Sequence, residues 1–369
     1  MTSGKKTGVV LLPGDLLSRH DLSAHNALGM HIAKLLGIPF LGAYAKAQHA
    51  QEQLYFIPSD TLVGRAKHDA LGIQTEDDFF GGLVAEPFMG TKAISHPLVE
   101  SPTHRPPGWP DAFYRLASSA VLSGFTVFSL ADARVAGELL LRTGPIRIKP
   151  VRARAGKGQS VADSLDQLIA YLDEADPEEL ANWGLVVEEN LQNVATYSVG
   201  HIRIGGATAT YCGTQNLTRD NSNQTVYGGS DLLVSRGNYN DLLQRDIPDD
   251  IRLAVTQAQL YEKAALDTLP DIMISRRNYD IAQGINSAGK QVSGVLEQSW
   301  RIGGASSAEI AALEAFQADG SLQCIRASSI ELYGEQAKPP VGAMRLSSDN
   351  DEETGCLTKY VRVETYDGR

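Results

Sequence analysis

The stretch RRNYDIAQGINSAGKQVSGVLEQSWRIGG, Arg276 to Gly304, reads as two strands joined by a turn at Asn286–Gly289. With that turn centred at Ser287–Ala288, Asn278 falls opposite Glu297 and Arg276 opposite Ser299. Opposed residues share a face, as do residues two apart, so Arg276, Asn278, Asp280, Glu297 and Ser299 should project from one side. Two carboxylates on one face repel and are costly to desolvate unless something cationic sits between them. Oxygen ligands grouped this way suit Mg²⁺, which is held by one or two carboxylates plus phosphate oxygens. Arg276, Arg277 and Arg301 lie nearby, so a cluster that only pairs charge is the alternative.

Working outward, the chain has 369 residues, 43% hydrophobic and 21% charged, which fits a globular protein of two or three lobes. No run approaches a membrane span. The apolar run Val9 to Pro13 is shorter than a signal-peptide core and lacks a cleavage site, so it is expected to be the first strand of a cytoplasmic protein. Cys212, Cys324 and Cys356 are widely spaced and suggest neither a disulfide framework nor a zinc site. His20, His25 and His31, five and six residues apart, do not share a helix face and are not expected to bind metal. A net charge of -11 argues against a general nucleic-acid binder.

The first hundred residues alternate strand and helix, as in a small open α/β sheet. The first helix is expected within 21–36, capped by Asp21 or Ser23 and ended by Gly37. His96 to Pro110 carries five prolines in fifteen residues and reads as a crossing between lobes. Beyond it come helix, strand, helix, then antiparallel strands near 196–218 and a long helix near 249–269. A helix near 306–317, capped by Ser306 or Ser307, precedes a β-rich tail with an acidic insert.

Against the acidic background, RTGPIRIKPVRARAGK holds six cations from Arg142 to Lys157 and no acid. The strand IRIKP puts Arg147 and Lys149 on one face, and Gly156, Lys157 and Gly158 follow as a loop whose backbone can approach an anion. It is not a Walker A loop: Gly158 follows Lys157, and the required first glycine is missing. The segment LVVEENL, Leu185 to Leu191, is a strand leaving the core through Glu188 and Glu189. As a hinge it could hydrogen-bond an adenine edge through backbone while a carboxylate holds ribose hydroxyls. YGGSDL, Tyr227 to Leu232, reads either as a plain turn or as a loop presenting Ser230 and Asp231 to a substrate.

Taken in order, these pieces resemble the ATP-grasp superfamily: a lysine before a glycine loop, an acidic hinge strand, and a late hairpin with metal-binding carboxylates. The resemblance runs from about residue 8 to 320 and implies an α/β architecture, an ATP-grasp fold with an N-terminal open α/β domain before it. It divides the chain into 1–110, the grasp lobes 111–190 and 191–320, and a β-rich extension 321–369. GVLEQSWRIGG resembles the family's E-x-N-x-R element, with Ser299 in place of the asparagine. By that match Asp280 and Glu297, with Asn278 and Ser299, would hold Mg²⁺. Lys149, Gly156, Lys157 and Gly158 would meet ATP phosphates, and Glu188, Glu189 and Leu191 the adenosine. Arg301 and Arg276 would act on the transferring phosphoryl group or its acceptor, and Gly303 and Gly304 would admit a substrate carboxylate. The family's first ATP lysine has no obvious counterpart, and Arg134 lies near the expected place. The phrases SRRNYD, VYGGSDL and GVLEQSWRIGGAS also resemble a bacterial family of unknown function allied to ATP-grasp.

The resemblance implies a Mg²⁺- and ATP-dependent ligase that joins a small-molecule or peptide carboxylate to an amine through an acyl phosphate. It implies neither a nucleic-acid nor a membrane partner and leaves a homodimer open. The rival readings are a small-molecule kinase and a degenerate ATP-binding sensor or scaffold.

Overall fold

A computed structural model describes residues 5–14, 17–49, 52–152, 158–335, 338–352 and 354–366. The N-terminal unit comprises β1 (Gly8–Leu12), α1 (Arg19–Leu36), β2 (Phe40–Ala43), α2 (Lys46–His49), β3 (Leu54–Pro58), β4 (Leu62–Val63), α3 (Arg65–Asp69) and β5 (Gly82–Val84). Its parallel sheet runs β2-β1-β3. Helix α1 begins earlier than the sequence suggests. The Ser18 hydroxyl accepts the Asp21 N–H at 3.0 Å and is the N-cap, while Gly37, at φ 66°, closes the other end as expected.

The second unit contains α4 (Asp111–Ala117), β6 (Gly124–Val127), α5 (Leu130–Leu140), β7 (Ile146–Pro150), β8 (Ser160–Ala162), α6 (Leu165–Asp173), α7 (Pro177–Trp183) and β9 (Leu185–Glu189). Its antiparallel sheet runs β6-β9-β7-β8. Ile146, Ile148, Leu185 and Val187 bury one face of this sheet in a core shared with α5 and α6. The register pairs Arg147 with Glu188 and Lys149 with Val186, which turns those four toward the other face.

The third unit is built on one eight-stranded sheet, ordered β15-β14-β10-β11-β12-β16-β18-β17. In chain order it comprises β10 (Gln192–Ile204), β11 (Ala207–Arg219), β12 (Thr225–Arg236), α8 (Tyr239–Leu243), α9 (Asp249–Thr268), β13 (Met273–Ile274), β14 (Arg276–Ile285), β15 (Gln291–Ser299), α10 (Ser306–Ala318), β16 (Cys324–Tyr333), β17 (Met344–Asp351) and β18 (Gly355–Thr365). The last fifty residues therefore extend this sheet. One face, through Val199, Tyr279, Ile281 and Val295, packs on α9 and on the segment between β5 and β6. The other face is apolar at one end, where Tyr211, Leu232, Val234 and Ala327 meet α10 and α1. Among the described residues no helix is long and apolar enough to cross a membrane.

Consecutive arginines on β14 tie both layers to this sheet, because successive strand residues point to opposite faces. Arg276 donates from Nε and Nη2 to Glu309 of α10, at 3.0 and 2.6 Å, and from Nη1 to the carbonyls of Ser299 and Arg301. Arg277 donates from Nε to Glu262 of α9 at 3.0 Å. Arg276 is 1% exposed and Glu309 0%. Removing one partner leaves the other charge buried, a loss on the order of 3–5 kcal/mol, whereas replacing both by apolar groups can be close to neutral. Denaturant unfolding should show that loss for Arg276→Met and a smaller one for Arg276→Met with Glu309→Leu. A single variant that costs under about 1 kcal/mol would mean the pair does not anchor α10.

Candidate functional site

The late hairpin forms, with a different register from the one expected. Ile285 pairs with Gln291, leaving a five-residue connection in which the Asn286 N–H donates to the Lys290 carbonyl. The pairing then shifts at Leu296, so Asp280 lies opposite Glu297 and Asn278 opposite Ser299. Relative to the expected pairing this is a two-residue displacement, which leaves the facing side chains on the same side. The four oxygen-bearing residues are therefore brought together as expected, with different partners.

Their surroundings differ. Asp280 Oδ1 accepts from Asn278 Nδ2 at 3.0 Å, Gln215 Nε2 at 2.9 Å and Ser198 Oγ at 3.3 Å, leaving Oδ2 without a hydrogen bond. Burial, and next the nearby Glu297 carboxylate, push the Asp280 carboxyl up to about 6. Asn278 Oδ1 already accepts from Tyr211 Oη at 2.8 Å and Ser198 Oγ at 3.0 Å. The Ser299 hydroxyl receives Arg276 Nη1 at 3.5 Å. Glu297 Oε2 meets Lys92 Nζ at 2.6 Å. Among the described residues no three His, Cys, Asp or Glu side chains gather as a metal cage. The donor set fits a cation that takes two protein carboxylates and completes its shell with other oxygens, as Mg²⁺ does.

Lys92 was not singled out by the sequence. It lies in a 3₁₀ turn, Lys92–Ser95, is 5% exposed, and packs beside β15. A single lysine in GTKAIS gives no periodic signal. Arg134, the expected surrogate for an upstream lysine, is exposed on α5 and lines neither cavity described below, so Lys92 is the cation that the fold brings to the carboxylates.

Two cavities meet at the hairpin. The larger, about 710 Å³, lies between the polar end of the eight-stranded sheet, the start of α1 and the loop before α10. The smaller, about 240 Å³, is bordered by Lys92, Arg152 and Trp183. Glu297 and Arg301 line both. Arg301 donates from Nη1 to the Ile302 carbonyl at 2.9 Å and lies 3.7 Å from Asp60. Asp280, Asn278, Ser299, Gly303, Gly304 and Ser230 all border the larger cavity. His25 borders it too; burial outweighs the pull of Asp21 and, with Lys359 and Arg301, holds its ring down at about 4, neutral at pH 7.

Several expected roles change. Arg276 touches the cavity, and its guanidinium is bonded to Glu309 and to the carbonyls of Ser299 and Arg301. The Gly303 N–H already donates to Ser306 Oγ at 3.0 Å, so Ser306 serves that loop and does not cap α10, whose N-cap is Ala305. Gly304 is small for a local reason: a Cβ there would lie 2.6 Å from the Tyr227 ring. YGGSDL is neither turn nor loop but the middle of β12. Ser230 faces the cavity, whereas Asp231 points the other way and accepts from Asn216 Nδ2 at 2.7 Å and Ser328 Oγ at 2.5 Å.

The expected adenosine corner is closed. Lys149 pairs with Glu188, which also meets His96 Nε2 at 3.2 Å, and all three are buried. Burial alone would raise the Glu188 carboxyl, but Lys149 and His96 outweigh it and hold it well below the usual range. The turn Lys92–Ser95 packs between β15 on one side and β6 and β9 on the other. Glu189 accepts the Ser123 N–H at 3.0 Å, and Leu191 is buried with Leu122 and Ala282. Gly158 is described, at φ 68°, while Gly156 and Lys157 lie outside the described residues.

The Asp280 carboxyl generates a pH test. Its proton is held more tightly in the fold than in the unfolded chain, so ionising it destabilises the protein. That penalty is absent near pH 4 and grows as pH rises through about 6. In metal-free buffer Asp280→Asn should melt with the wild type at pH 4 and above it at pH 7, by an amount on the order of 2–3 kcal/mol. Equal melting at both pH values would contradict the raised Asp280 carboxyl.

Comparison with known proteins bears on the fold. Phosphoribosylamine–glycine ligase from Thermotoga maritima superposes with a TM-score of 0.52 at 14% identity, over 98% of this chain and 93% of that one. D-alanyl-alanine synthetase A from Vibrio cholerae gives 0.45 at 13% identity, over 80% and 89%. D-cycloserine synthetase gives 0.47 at 12% identity, over 84% and 99%. The chain has the ATP-grasp fold, with an open α/β unit before it. No curated protein matches it by sequence. Residues 13–361 match the family described as "Protein of unknown function (DUF3182)", and the chain belongs to that family.

Proposed function

We propose that the chain is an ATP-grasp-type ligase that joins a carboxylate to an amine at the expense of ATP. The observation that carries this reading is the opposed pair Asp280–Glu297 at the larger cavity, with Glu297 and Arg301 lining the smaller one as well. On this reading residues 1–110 precede the grasp, 111–190 and 191–320 are its lobes, and 321–369 extend the second lobe.

A Mg²⁺ held by Asp280 and Glu297 would supply charge neutralisation on the ATP phosphates. Lys92 and Lys149 offer cations to those phosphates once their carboxylate partners turn to other ligands, and Glu188, Glu189 and the backbone at Leu191 face the adenosine. Arg301 stabilises the transferring phosphoryl group from the cavity side, and Arg276 fixes the loop that carries it. An oxygen of the substrate carboxylate attacks the γ-phosphorus and ADP leaves. The amine nitrogen then attacks the acyl carbon, the carbon–oxygen bond to phosphate breaks, and the amine's proton leaves with inorganic phosphate. Water must be kept from the acyl phosphate, which suits a site enclosed between lobes.

A second reading has its own support. With His96, Lys149 and Glu188 packed together and the Lys92–Ser95 turn between the sheets, nucleotide has to displace protein. A chain that keeps this closed form would sense or scaffold instead of catalyse. Incubation with ATP, Mg²⁺ and pooled carboxylates and amines separates the readings. ADP and phosphate release that requires both pools supports the ligase, and a phosphorylated product without free phosphate supports a kinase. A melting shift without turnover supports the sensor. If millimolar ATP or ADP with Mg²⁺ leaves the melt unchanged, nucleotide binding is excluded.

Glu297→Gln should lower Mg²⁺-dependent turnover by at least about 100-fold, the scale of a lost charge-stabilising group, while the melting temperature stays within a few degrees. A fully active Glu297→Gln protein would overturn the assignment.

A further inference from the structure

The polar half of the eight-stranded sheet is a continuous track. From the carboxylate pair, Ser198 on β10 lies opposite Asp280, and Gln215 on β11 lies opposite Ser230 on β12. Ser230 lies opposite Ser329 on β16, and two residues further along β16 Glu331 lies opposite Lys359 on β18. Each registered pair shares a face, and each of these side chains borders the 710 Å³ cavity. Hydrogen bonds run along the track: Gln215 to Asp280 at 2.9 Å, and Tyr227 Oη to Ser230 at 2.7 Å and to Ser329 at 3.2 Å.

The track ends on a second charged pair, Lys359 Nζ to Glu331 at 2.9 Å, with side chains 20% and 11% exposed. The strands that carry it belong to the C-terminal segment. Strand β17 packs on α1, and His20 Nε2 meets the Gly355 carbonyl at 2.9 Å and Asp351 at 3.2 Å, fixing the hairpin tip over the cavity. From β14 to β18 there are five strand-to-strand steps, about 24 Å along the sheet at roughly 4.8 Å each. A single amino acid covers only about 3.5 Å of extended backbone.

We propose that this cavity binds a short extended peptide along the polar track, with its terminal carboxylate taken by Lys359 in place of Glu331. The hydroxyl and amide side chains of the floor suit the polar groups of a peptide backbone, and the volume lies within the usual range of ligand sites, about 300–1,000 Å³. This rests on the ligase reading only in making the peptide's amino end, at Asp280, Glu297 and Arg301, the nucleophile. Binding of the far end does not depend on that chemistry. Lys359 and Glu331 are thus specificity residues, and the C-terminal hairpin acts as the gauge of substrate length.

Calorimetry with alanine peptides of one to six residues tests this, each with a free or an amidated C-terminus, with and without a non-hydrolysable ATP analogue and Mg²⁺. Affinity should rise at least 10-fold with length, and amidation should cost the longest peptide at least 10-fold. Glu331→Gln, which removes the competing carboxylate, should tighten the acid and not the amide. Lys359→Met should bring the acid down to the amide, and Lys359→Met with Glu331→Gln guards against loss of fold from an unpaired charge. No peptide binding in either condition, no length dependence, or equal binding of acid and amide in the wild type would overturn the proposal. Peptides that bind by these rules yet are never joined to a carboxylate would retain it and overturn the ligase reading.

Discussion

One irregularity in strand pairing decides what the late hairpin presents. Had β15 kept the register it has at Ile285–Gln291, Glu297 would have paired with Tyr279 and faced the apolar layer under α9. The extra residue at Leu296 shifts the pairing by one, and a one-residue shift sends a side chain to the other face. Glu297 thereby joins Asp280 on the cavity side, while Gln298 takes the buried side and bonds Tyr261 at 2.9 Å. The bulge costs a ladder pair and places two carboxylates together, where burial and next the Glu297 carboxylate raise the Asp280 carboxyl. A fold indifferent to that charge would gain by losing the bulge. Its presence makes sense where a cation offsets the repulsion, and Lys92 already supplies part of that offset.

The same strand carries the rest of the framework. Arg276 and Arg277 reach α10 and α9 on opposite faces, and each is buried against a carboxylate. Buried ion pairs of this kind contribute little net stability but fix one arrangement, because any other leaves an uncompensated charge. Arg276 does more than hold α10. By taking the carbonyls of Ser299 and Arg301 it sets the backbone on either side of Trp300, whose indole fills the core below.

The sequence made the hairpin, the strand IRIKP, the hinge strand and the faces of their charged residues legible, since all follow from period-two alternation. The eight-stranded sheet was less so. Its order places β16 beside β12 and β14 beside β10, pairings between segments far apart in the chain that no local pattern specifies. Lys92 sits in a 3₁₀ turn too short to show a period. Glu309 did leave a signal, a lone acid on the face of α10 shared with Ala312, Leu313 and Phe316, but its partner is unreadable without the fold. The two glycines before Ser230 and Asp231 suggest a turn or a loop; they in fact sit within a paired strand, where Gly229 at φ 133° abuts the Ser329 carbonyl.

The two sides of the hairpin also differ in readiness. Toward the eight-stranded sheet lies a cavity with hydroxyl, amide and charged side chains on its floor. Toward the small sheet, Lys149, Glu188 and His96 are buried among themselves under the turn that bears Lys92. Because Lys92 also holds Glu297, opening that side releases a cation from the very carboxylate that a metal would claim. Ion pairing thus couples the closed side to the carboxylates: on the proposed reading a divalent cation at Asp280 and Glu297 would compete with Lys92, and any group that drew Lys92 away would make the carboxylates a stronger cation site. By the reciprocity of linked equilibria, a ligand that displaced the turn and a metal bound at the hairpin would each strengthen the other's binding.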